Sequence, residues 1–428
     1  MRKTGGFDEL LKKISVGKAK VGIVGLGYVG LPMALLFAKH NFPVTGFVRD
    51  NKKKEMLNTG KSYFFGPKID KDLKQSIKKK NFRAVLTNTK DLSLQDVIII
   101  CVPTPVDKNK KPDLNDLMQV RDALKKVNLS GKLIINESTV APFTTREILG
   151  NFKSQYFLAC SPERVDPGNK SKTTDNIAKV VGAVDNESLK LAKELYSKVI
   201  KAEIVEVSSL ESAEMAKMLE NTYRAVNIAL INEFVKLAEK LDIDILEVIH
   251  AAKSKWSFQP HYPSIGVGGH CIAVDPYYIL ELAKKKKIPM GIIKESLLEN
   301  ESMPEYVFDK VVSLYRNGMK ILVYGLTYKK DVSDLRESPA ITFCTLLRQK
   351  NIPFLVYDPL IDKEDIQKIG FKNGKLEKVD IFVVATAHNK LSQDYKKVIG
   401  NKTIVIDGQN FFDKKVGKGV FGVGRTFL

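Results

Sequence analysis

The segment KVGIVGLGYVGLP, residues 20–32, decides the fold of the first part of the chain. Residues 20–24 are mostly apolar and β-branched, which is typical of a buried strand, and glycines follow at once. A helix-like stretch at 31–40 and a second strand at Val44–Val48 come next. A glycine turn between a strand and a helix presents free N–H groups to an anion at the helix N-terminus. The pattern therefore predicts a dinucleotide site.

Each glycine of this turn has its own expected task. Gly25 permits the tight turn, Gly27 lets a pyrophosphate approach the backbone, and Gly30 lets the helix pack on the strand. Tyr28 and Val29 lie between the last two glycines, so we count them among the cofactor-binding residues.

The end of the second strand is unusual for an NAD site. An acid that binds the adenosine ribose is expected there, but Val48 occupies the place, and Arg49 and Asp50 follow. Asp50 could still reach a ribose hydroxyl, whereas a guanidinium such as Arg49 can clamp a 2′-phosphate. We expect NAD as cofactor, with measurable but lower activity with NADP.

The order of strand-like and helix-like segments gives the fold class. Continuous apolar strands separated by helical patterns predict a parallel sheet that is covered on both faces. Residues 211–241 contain no Gly or Pro and predict one long helix, after which strands return near residue 320. We expect an α/β fold with two Rossmann-like parallel-sheet domains joined by a central helical region with this long helix. The expected domains are residues 1–208, which bind the dinucleotide, 209–317, and 318–428.

Charge and composition narrow the function classes. The chain has 428 residues, and 69 Lys and Arg against 49 Asp and Glu give a net charge of +20. The lysines occur in short runs spread over the whole chain, which favours solvated helix faces over a nucleic-acid surface. An anionic small substrate would also suit this sign of charge.

The four cysteines and five histidines indicate neither a disulfide scaffold nor a metal site. No pair of cysteines has CxxC spacing, and the histidines lack ligand-type spacing, so we expect no metal. No segment reaches the roughly 18 uninterrupted apolar residues of a membrane helix. The N-terminal stretch carries Asp8 and Glu9 and is too acidic for the charged region of a signal peptide, so we expect a cytoplasmic protein without membrane contact.

A second glycine-rich stretch, GVGGHCIAVDP at 266–276, carries a cysteine and an acid. Glycines such as Gly266 and Gly268 bring the backbone close to a ligand, and Asp275 follows Cys271 by four positions. Taken alone, the pattern also fits a buried cysteine in a glycine turn.

Eight motifs in order make the chain resemble the UDP-glucose/GDP-mannose dehydrogenase family over residues 20–425. They are GLGYVGLP at 25, CVPTP at 101, NESTV at 136, SPERVDPGN at 161, AKMLENTYRAVNIALINE at 216, GVGGHCIAVDPYY at 266, GLTYKKDVSDLRESPA at 325 and GVGR at 422. The resemblance implies four-electron oxidation of a nucleotide-sugar 6-hydroxyl to a carboxylate with two dinucleotides, through a thioester on Cys271. It also implies a C-terminal UDP-binding domain and a homodimer or higher homo-oligomer that is paired through central helices.

The resemblance also assigns roles to individual residues. Lys217 and Asn221, four apart on the long helix, would stabilise the developing oxyanion, and Asp275 would be the base for the water steps. Glu163 would contact substrate and serve hydrolysis, and Thr139 would hold a water near the reacting carbon. The further cofactor contacts implied are Thr104, Thr139 and Arg336. The further substrate contacts implied are Arg164, Lys217, Asn221, Arg224, Gly266, Gly268 and Lys329.

Two sequence segments narrow the range of sugar substrates. The SPERVDPGN segment and the GGHC sequence resemble the N-acetylhexosamine branch, with UDP-N-acetylglucosamine ahead of UDP-N-acetylmannosamine and with galacto or glucose forms after both. Ala273, where the family usually has proline, and Ser264-Ile265, where Gly-Pro is common, bear on fine substrate placement. Three alternatives stay open: a two-electron hydroxyacid-type dehydrogenase, a non-catalytic nucleotide-sugar sensor, and a basic nucleic-acid-binding protein.

Overall fold

The computed structural model describes residues 4–63, 67–165, 171–413 and 415–425. The chain forms two compact units, Met1–Glu220 with Tyr277–Leu282, and Asn221–Pro276 with Ala283–Leu428.

The first unit is built on one large sheet. Its strands are β1 (Val21–Val24), β2 (Val44–Val48), β3 (Phe82–Leu86), β4 (Val97–Ile100), β5 (Leu133–Asn136), β6 (Phe157–Cys160), β7 (Lys179–Ala183) and β8 (Ile204–Glu206). Its helices are α1 (Thr4–Ser15), α2 (Gly30–Lys39), α3 (Asn51–Asn58), α4 (Pro67–Lys78), α5 (Thr89–Ser93), α6 (Asn115–Leu124), α7 (Thr144–Leu149) and α8 (Asn186–Ser197). Among the described residues the strand order is β3-β2-β1-β4-β5-β6-β7-β8.

Strand pairing follows the expected parallel pattern, with one exception. The pairs from β3 across to β6, and β7 with β8, are parallel, whereas β6 and β7 are antiparallel. Along β4, Val97 and Ile99 contribute to one apolar core and Ile98 and Ile100 to another. The sheet is therefore covered on both faces, which is why its strands are continuously apolar.

Helix α1 was not predicted from the sequence. Its side chains Leu10 and Ile14 are buried in the core beside α8, and the ring of Phe7 packs edge-on against Phe157. Residues ahead of the glycine turn thus belong to the packed core of the first unit.

Two long helices belong to the central part of the chain. Its helices are α9 (Leu210–Lys240), α10 (Ile245–Ala252), α11 (Asp275–Lys285) and α12 (Gly291–Leu314). Helix α9 has 31 residues, which confirms the predicted long helix. No helix in the described ranges is both long and apolar enough to cross a membrane.

The second unit carries its own parallel sheet. Its strands are β9 (Ile321–Tyr324), β10 (Leu355–Tyr357), β11 (Ile381–Val384), β12 (Ile404–Asp407) and β13 (Gly419–Gly422). Helices α13 (Pro339–Gln349), α14 (Lys363–Lys368) and α15 (Leu391–Val398) accompany them. The order in the described residues is β10-β9-β11-β12-β13, and every pair is parallel. Two parallel-sheet, Rossmann-like domains and a long central helix confirm the predicted fold class.

Candidate active site

The turn that follows β1 is built so that only glycine fits at two of its positions. Gly25 has φ +93°, and a Cβ there would lie 2.6 Å from the carbonyl oxygen of Cys101. A Cβ at Gly30 would lie 1.9 Å from the carbonyl oxygen of Gly25. The Tyr63 hydroxyl donates to the carbonyl of Leu26, which fastens the turn from the opposite side.

The same turn leaves room for a dinucleotide. Apart from Gly27 and its two chain neighbours, no described residue comes within 4 Å of the place where a Cβ of Gly27 would stand, so a pyrophosphate can approach the backbone here. The turn leads into α2 beside the point where the strand order reverses, between β1 and β4. Ligands of open α/β sheets bind at such a point, and the residues present therefore fit the expected cofactor.

Arg49 and Asp50 both have partners in the protein. The Asp50 carboxylate accepts a hydrogen bond of 2.8 Å from the N–H of Lys53 and so caps α3. The Arg49 guanidinium forms an ion pair with Asp116, in the first turn of α6. Val48, in the place of the usual acid, is buried.

Thr104 and Thr139 follow neighbouring strands and are joined. The Thr104 hydroxyl donates a 2.6 Å hydrogen bond to the Thr139 carbonyl. The Tyr278 hydroxyl in turn donates to the Thr104 carbonyl at 2.6 Å. Because these loops lie at the carboxyl ends of β4 and β5, both threonines stand at the edge of the sheet where the glycine turn lies.

Glu163 belongs to a buried charged cluster that sequence reasoning missed. Its Oε1 accepts from the N–H groups of Arg164 and Val165 at 2.7 and 2.8 Å, and its Oε2 accepts from Lys179 Nζ at 3.0 Å. Lys179 Nζ also lies 3.0 Å from Glu137, whose Oε1 accepts from the Tyr196 hydroxyl. The Lys179 side chain is only 4% exposed, so one ammonium serves two buried carboxylates.

The cluster sets the charge of its members. Burial acts to raise the pKa of Glu163, but the Lys179 ammonium and the two backbone N–H groups hold that pKa below its usual value. Burial raises the pKa of Glu137 despite the same ammonium. Burial would lower the pKa of Lys179, yet the two carboxylates raise it above the ordinary value. Glu163 is therefore held as an anion, with Lys179 as its cation.

Arg164 and Lys217 are two further expected site residues of the first unit. The Arg164 guanidinium binds both carboxylate oxygens of Glu220, on α9, and the carbonyl of Ala178. Lys217 lies on α9, one helical turn before Asn221, and is only 9% exposed. A lysine so deeply buried is uncommon.

In the second unit, Asn221 and Asp275 come together. The Asn221 amide donates to Asp275 Oδ2 at 2.5 Å, and both side chains are buried. Asp275 opens α11, and its N–H donates to the carbonyl of Cys271 at 2.8 Å. This turn fixes Cys271, which is half-buried, directly ahead of the helix.

The glycines of the cysteine loop allow it to lie against residues 325–340. A Cβ at Gly268 would lie 2.6 Å from the carbonyl oxygen of Glu337, and one at Gly269 would lie 2.5 Å from the ring of Tyr328. The Gly269 N–H donates to the Arg336 carbonyl at 3.3 Å. Gly266 has φ +150° and faces Pro339. Two motifs that are far apart in sequence thus form one surface.

Lys329 is half-buried and Arg336 is exposed, and buried groups hold the backbone or side chain of each. Arg336 forms hydrogen bonds with both carboxylate oxygens of Asp334. The loop at Lys329 is held because His388 Nδ1 accepts from the Asp331 N–H at 3.0 Å, and Thr327 Oγ1 donates to the Lys329 carbonyl at 3.0 Å. Exposed Arg224 lies on α9, whose neighbouring Tyr223 donates to Gln259.

Several residues of the candidate site could not be predicted from the sequence. Lys179, Asp116 and His388 belong to none of the recognised motifs. Glu137 lies in the NESTV motif, but the sequence assigned it no role. A charged residue at the start of the apolar strand β7 was the one usable hint for Lys179. The VDPGN cue for the sugar falls partly on residues 166–169, which lie outside the described residues.

When the chain is compared with known protein families, three family profiles match it. Residues 19–200 match the NAD binding domain of the UDP-glucose/GDP-mannose dehydrogenase family, 211–302 its central domain, and 322–414 its UDP binding domain. These matches identify an NAD-binding and a UDP-binding domain.

Relatives carry the names of two sugars. The chain is 36% identical to a UDP-N-acetyl-D-glucosamine 6-dehydrogenase of Pseudomonas aeruginosa, over 81% of this chain and 84% of that protein. It is 34% identical to a UDP-N-acetyl-D-mannosamine dehydrogenase of Methanocaldococcus jannaschii, over 95% of both. The solved UDP-D-ManNAc dehydrogenase of Pyrococcus horikoshii superposes with a TM-score of 0.83 at 32% identity, covering 95% of this chain and 99% of that one.

Proposed function

This chain belongs to the UDP-glucose/GDP-mannose dehydrogenase family, and we propose that it oxidises the 6-hydroxyl of a UDP-N-acetylhexosamine to a carboxylate. The observation that carries the proposal is the turn that joins Cys271 to Asp275, with Asn221 bonded to that acid. A nucleophile, an acid–base group and an amide donor thereby share one buried neighbourhood of the second unit.

The chemistry proceeds in three stages. Loss of a hydride from C6 and a proton from its hydroxyl gives the aldehyde. The Cys271 thiolate adds to the aldehyde to form a C–S bond, and the resulting alkoxide takes up a proton to give a thiohemiacetal hydroxyl. Loss of a second hydride from that carbon, and of the hydroxyl proton, leaves a thioester. Water then attacks, the C–S bond breaks, and the carboxylate, the free thiolate and two protons result. NAD, when bound, accepts the hydrides, one equivalent for each two-electron step.

Lys217 and Asn221 are proposed to stabilise negative charge on the sugar oxygen. They stand one turn apart on α9, and both side chains are buried. An ammonium and an amide N–H with little water around them stabilise a developing oxyanion more strongly than the same groups in solvent.

Asp275 and Glu163 are proposed to have different tasks. Asp275 is oriented by Asn221 and stands next to the cysteine turn, which suits a base that removes the proton of the attacking water. Glu163 is held ionised by Lys179 and by backbone N–H groups, so it is a weak base. We assign Glu163 to accept hydrogen bonds from substrate or water, with Thr139 as a second group that holds water.

The remaining predicted contacts are assigned by domain. Residues 1–208 bind the dinucleotide through the glycine turn, Arg49, Asp50 and Thr104. Residues 209–317 supply the long helix and the cysteine loop, and residues 318–428 bind UDP and place Lys329, with Arg336 reaching the cofactor. Arg164, Arg224, Gly266 and Gly268 are proposed substrate contacts, and a cytoplasmic location stays a prediction.

The two candidate sugars rest on different observations. The SPERVDPGN segment favours UDP-N-acetylglucosamine. UDP-N-acetylmannosamine is favoured by the similarity to the proteins of M. jannaschii and P. horikoshii that carry its name. The two sugars differ only in the configuration at C2, which a few contacts decide.

The test is a panel of UDP-sugars with NAD, in which reduced cofactor is counted per sugar consumed. We expect two equivalents with one N-acetylhexosamine and weak activity with UDP-glucose. One equivalent would indicate a two-electron dehydrogenase. No turnover with any UDP-sugar, together with retained UDP-sugar binding, would indicate a sensor. A salt-sensitive gel shift with nucleic acid would support the third alternative.

A further inference from the structure

Arg49 follows β2 near the place where an acid that binds the ribose is usual. Its guanidinium forms an ion pair with the carboxylate of Asp116. Arg49 Nη1 lies 2.5 Å from Asp116 Oδ1, and Nη2 lies 3.1 Å from Asp116 Oδ2. Nη1 also donates to Gln119 Oε1 at 3.3 Å. A two-point bond of this kind fixes the orientation of the guanidinium as well as its position.

The ion pair spans the place where the adenosine half of a dinucleotide is expected. Arg49 follows β2, and Asp116 is in the first turn of α6, which follows β4. In the sheet, β1 lies between β2 and β4, so the pair joins the two flanks of the glycine turn after β1. Phosphates bound at that turn would direct the adenosine ribose toward the end of β2, next to this pair.

We propose that Asp116 is the residue that selects NAD over NADP in this chain. A bare Arg49 would attract a 2′-phosphate, because a guanidinium matches a phosphate in charge and in hydrogen-bond geometry. Asp116 occupies that face of the guanidinium and neutralises its charge. The Asp116 carboxylate also repels a phosphate directly. From α6 it thus excludes the 2′-phosphate of NADP, as an acid in the place of Val48 would do from β2.

The exposure of the Arg49 and Asp116 side chains indicates which of the two is held in place by the surrounding protein. The Arg49 side chain is 64% exposed, whereas that of Asp116 is 21% exposed. A carboxylate near a helix N-terminus is also favourably placed in the field of that helix. We therefore expect Arg49 to turn toward a 2′-phosphate once Asp116 is uncharged. Because the pair is partly in water, its effect is moderate.

The test is direct titration of the purified full-length protein with NADH and NADPH, followed by nucleotide fluorescence without any sugar. We expect Asp116→Asn to tighten NADPH binding by about tenfold and to change NADH binding by less than about twofold. Arg49→Ala should weaken NADPH binding, and the double variant Arg49→Ala with Asp116→Asn should show no gain. Asp122→Asn is the matched control, because it removes the same charge from the same helix at an exposed site paired with Arg121.

Two results would overturn the proposal. One is an unchanged ratio of NADPH to NADH affinity in Asp116→Asn. The other is a gain that persists in the double variant, because the gain would then not act through Arg49. The inference rests on the NAD-binding domain and not on the sugar, so it can fail while the dehydrogenase activity stands, and the reverse is also true.

Discussion

The amide of Asn221 donates a 2.5 Å hydrogen bond to the carboxylate of Asp275, although the two residues are 54 positions apart. An amide has two N–H donors and one acceptor oxygen. The bond therefore turns the nitrogen end of Asn221 toward Asp275 and leaves its second N–H for another acceptor. In the proposed mechanism that acceptor is the oxyanion, and Asp275 orients its donor.

The first prediction concerns Asp275→Asn. We expect kcat to fall by about 100-fold or more, because a positioned base is lost and the Asn221 amide is no longer oriented by a charge. KM for the UDP-sugar should change far less, since neither effect removes a binding contact. Steady-state kinetics with Asp309→Asn, an exposed carboxylate on α12, provide the control. A kcat within about threefold of wild type would remove Asp275 from the mechanism.

The second prediction concerns Cys271→Ser. We expect no net formation of the uronate, because a serine hydroxyl is far less ionised than a thiol near neutral pH and adds poorly to the aldehyde. Counting reduced cofactor per sugar checks this. Cys344→Ala, at a cysteine buried in the core of the second unit, should keep two equivalents per sugar. Two equivalents from the serine variant at a near wild-type rate would exclude the thioester.

The third prediction concerns Lys179, which contacts Glu163 and is expected to act through it. Without the ammonium, the pKa of Glu163 should rise, because the backbone N–H groups of Arg164 and Val165 then oppose the effect of burial without its help. The acidic limb of the kcat–pH profile should move upward by about one unit or more in Lys179→Met, and Lys179→Arg should restore it.

Folding is the control that the Lys179 variants need. Lys179→Met leaves two buried carboxylates without their cation, which can cost about 3–5 kcal/mol. The double variant Lys179→Met with Glu137→Gln removes one of those charges and should recover stability without recovering the wild-type pH profile. A merely structural lysine would predict recovery of both together.

Much of the fold followed from the sequence, because the signals were local. Val44–Val48 was predicted with the observed bounds, and the long helix within one residue at each end, since unbroken apolar and helical patterns need no long-range information. The antiparallel step between β6 and β7 was not predicted, because period and composition do not encode strand direction.

The residues of the candidate site also divide into those with a local sequence signal and those without one. Cys271 and Asp275 could be predicted from the sequence as one site, because they lie only four residues apart. The partners of Arg49 and Glu163 could not be predicted, because Asp116 lies on α6 and Lys179 on β7, far from them in sequence. Such pairings depend on tertiary structure, and neither partner has a motif of its own.

The fourth prediction concerns assembly. An apolar stripe with spacings of four, three and four runs through Leu230, Phe234 and Leu237 on α9 to Leu241, which directly follows the helix, and each of these side chains is about half exposed. Such a stripe on one helix face is typical of a surface that is covered by another chain. We expect a homodimer or a larger homo-oligomer, and Leu237→Asp should shift it toward the 47.9 kDa monomer in sedimentation. Leu360→Asp, at an exposed leucine elsewhere, should not, and a monomeric wild type at micromolar concentration would refute the prediction.

The fifth prediction concerns the pH dependence of stability at Glu214. This buried carboxylate on α9 accepts from the N–H groups of Phe143 and Thr145, each at 2.8 Å, ahead of and within α7. Burial raises the pKa of Glu214 to about 7, against the lowering effect of those hydrogen bonds. The neighbouring Glu211 has its pKa lowered, first by its hydrogen bond with Arg146.

The two glutamates should therefore act on stability with opposite signs. A carboxylate whose pKa is higher in the folded state stabilises the fold most below its unfolded pKa, and this contribution is lost as pH rises through the folded pKa. From the usual 4.5 to about 7, the loss at Glu214 is at most about 3 kcal/mol. Urea unfolding of wild type and Glu214→Gln should show the advantage of wild type shrinking between pH 4.5 and 8. In Glu211→Gln, the advantage of wild type should instead shrink as pH falls below about 4.5. A wild-type advantage over Glu214→Gln that grows with pH would mean that the N–H groups of Phe143 and Thr145 outweigh burial and keep Glu214 ionised.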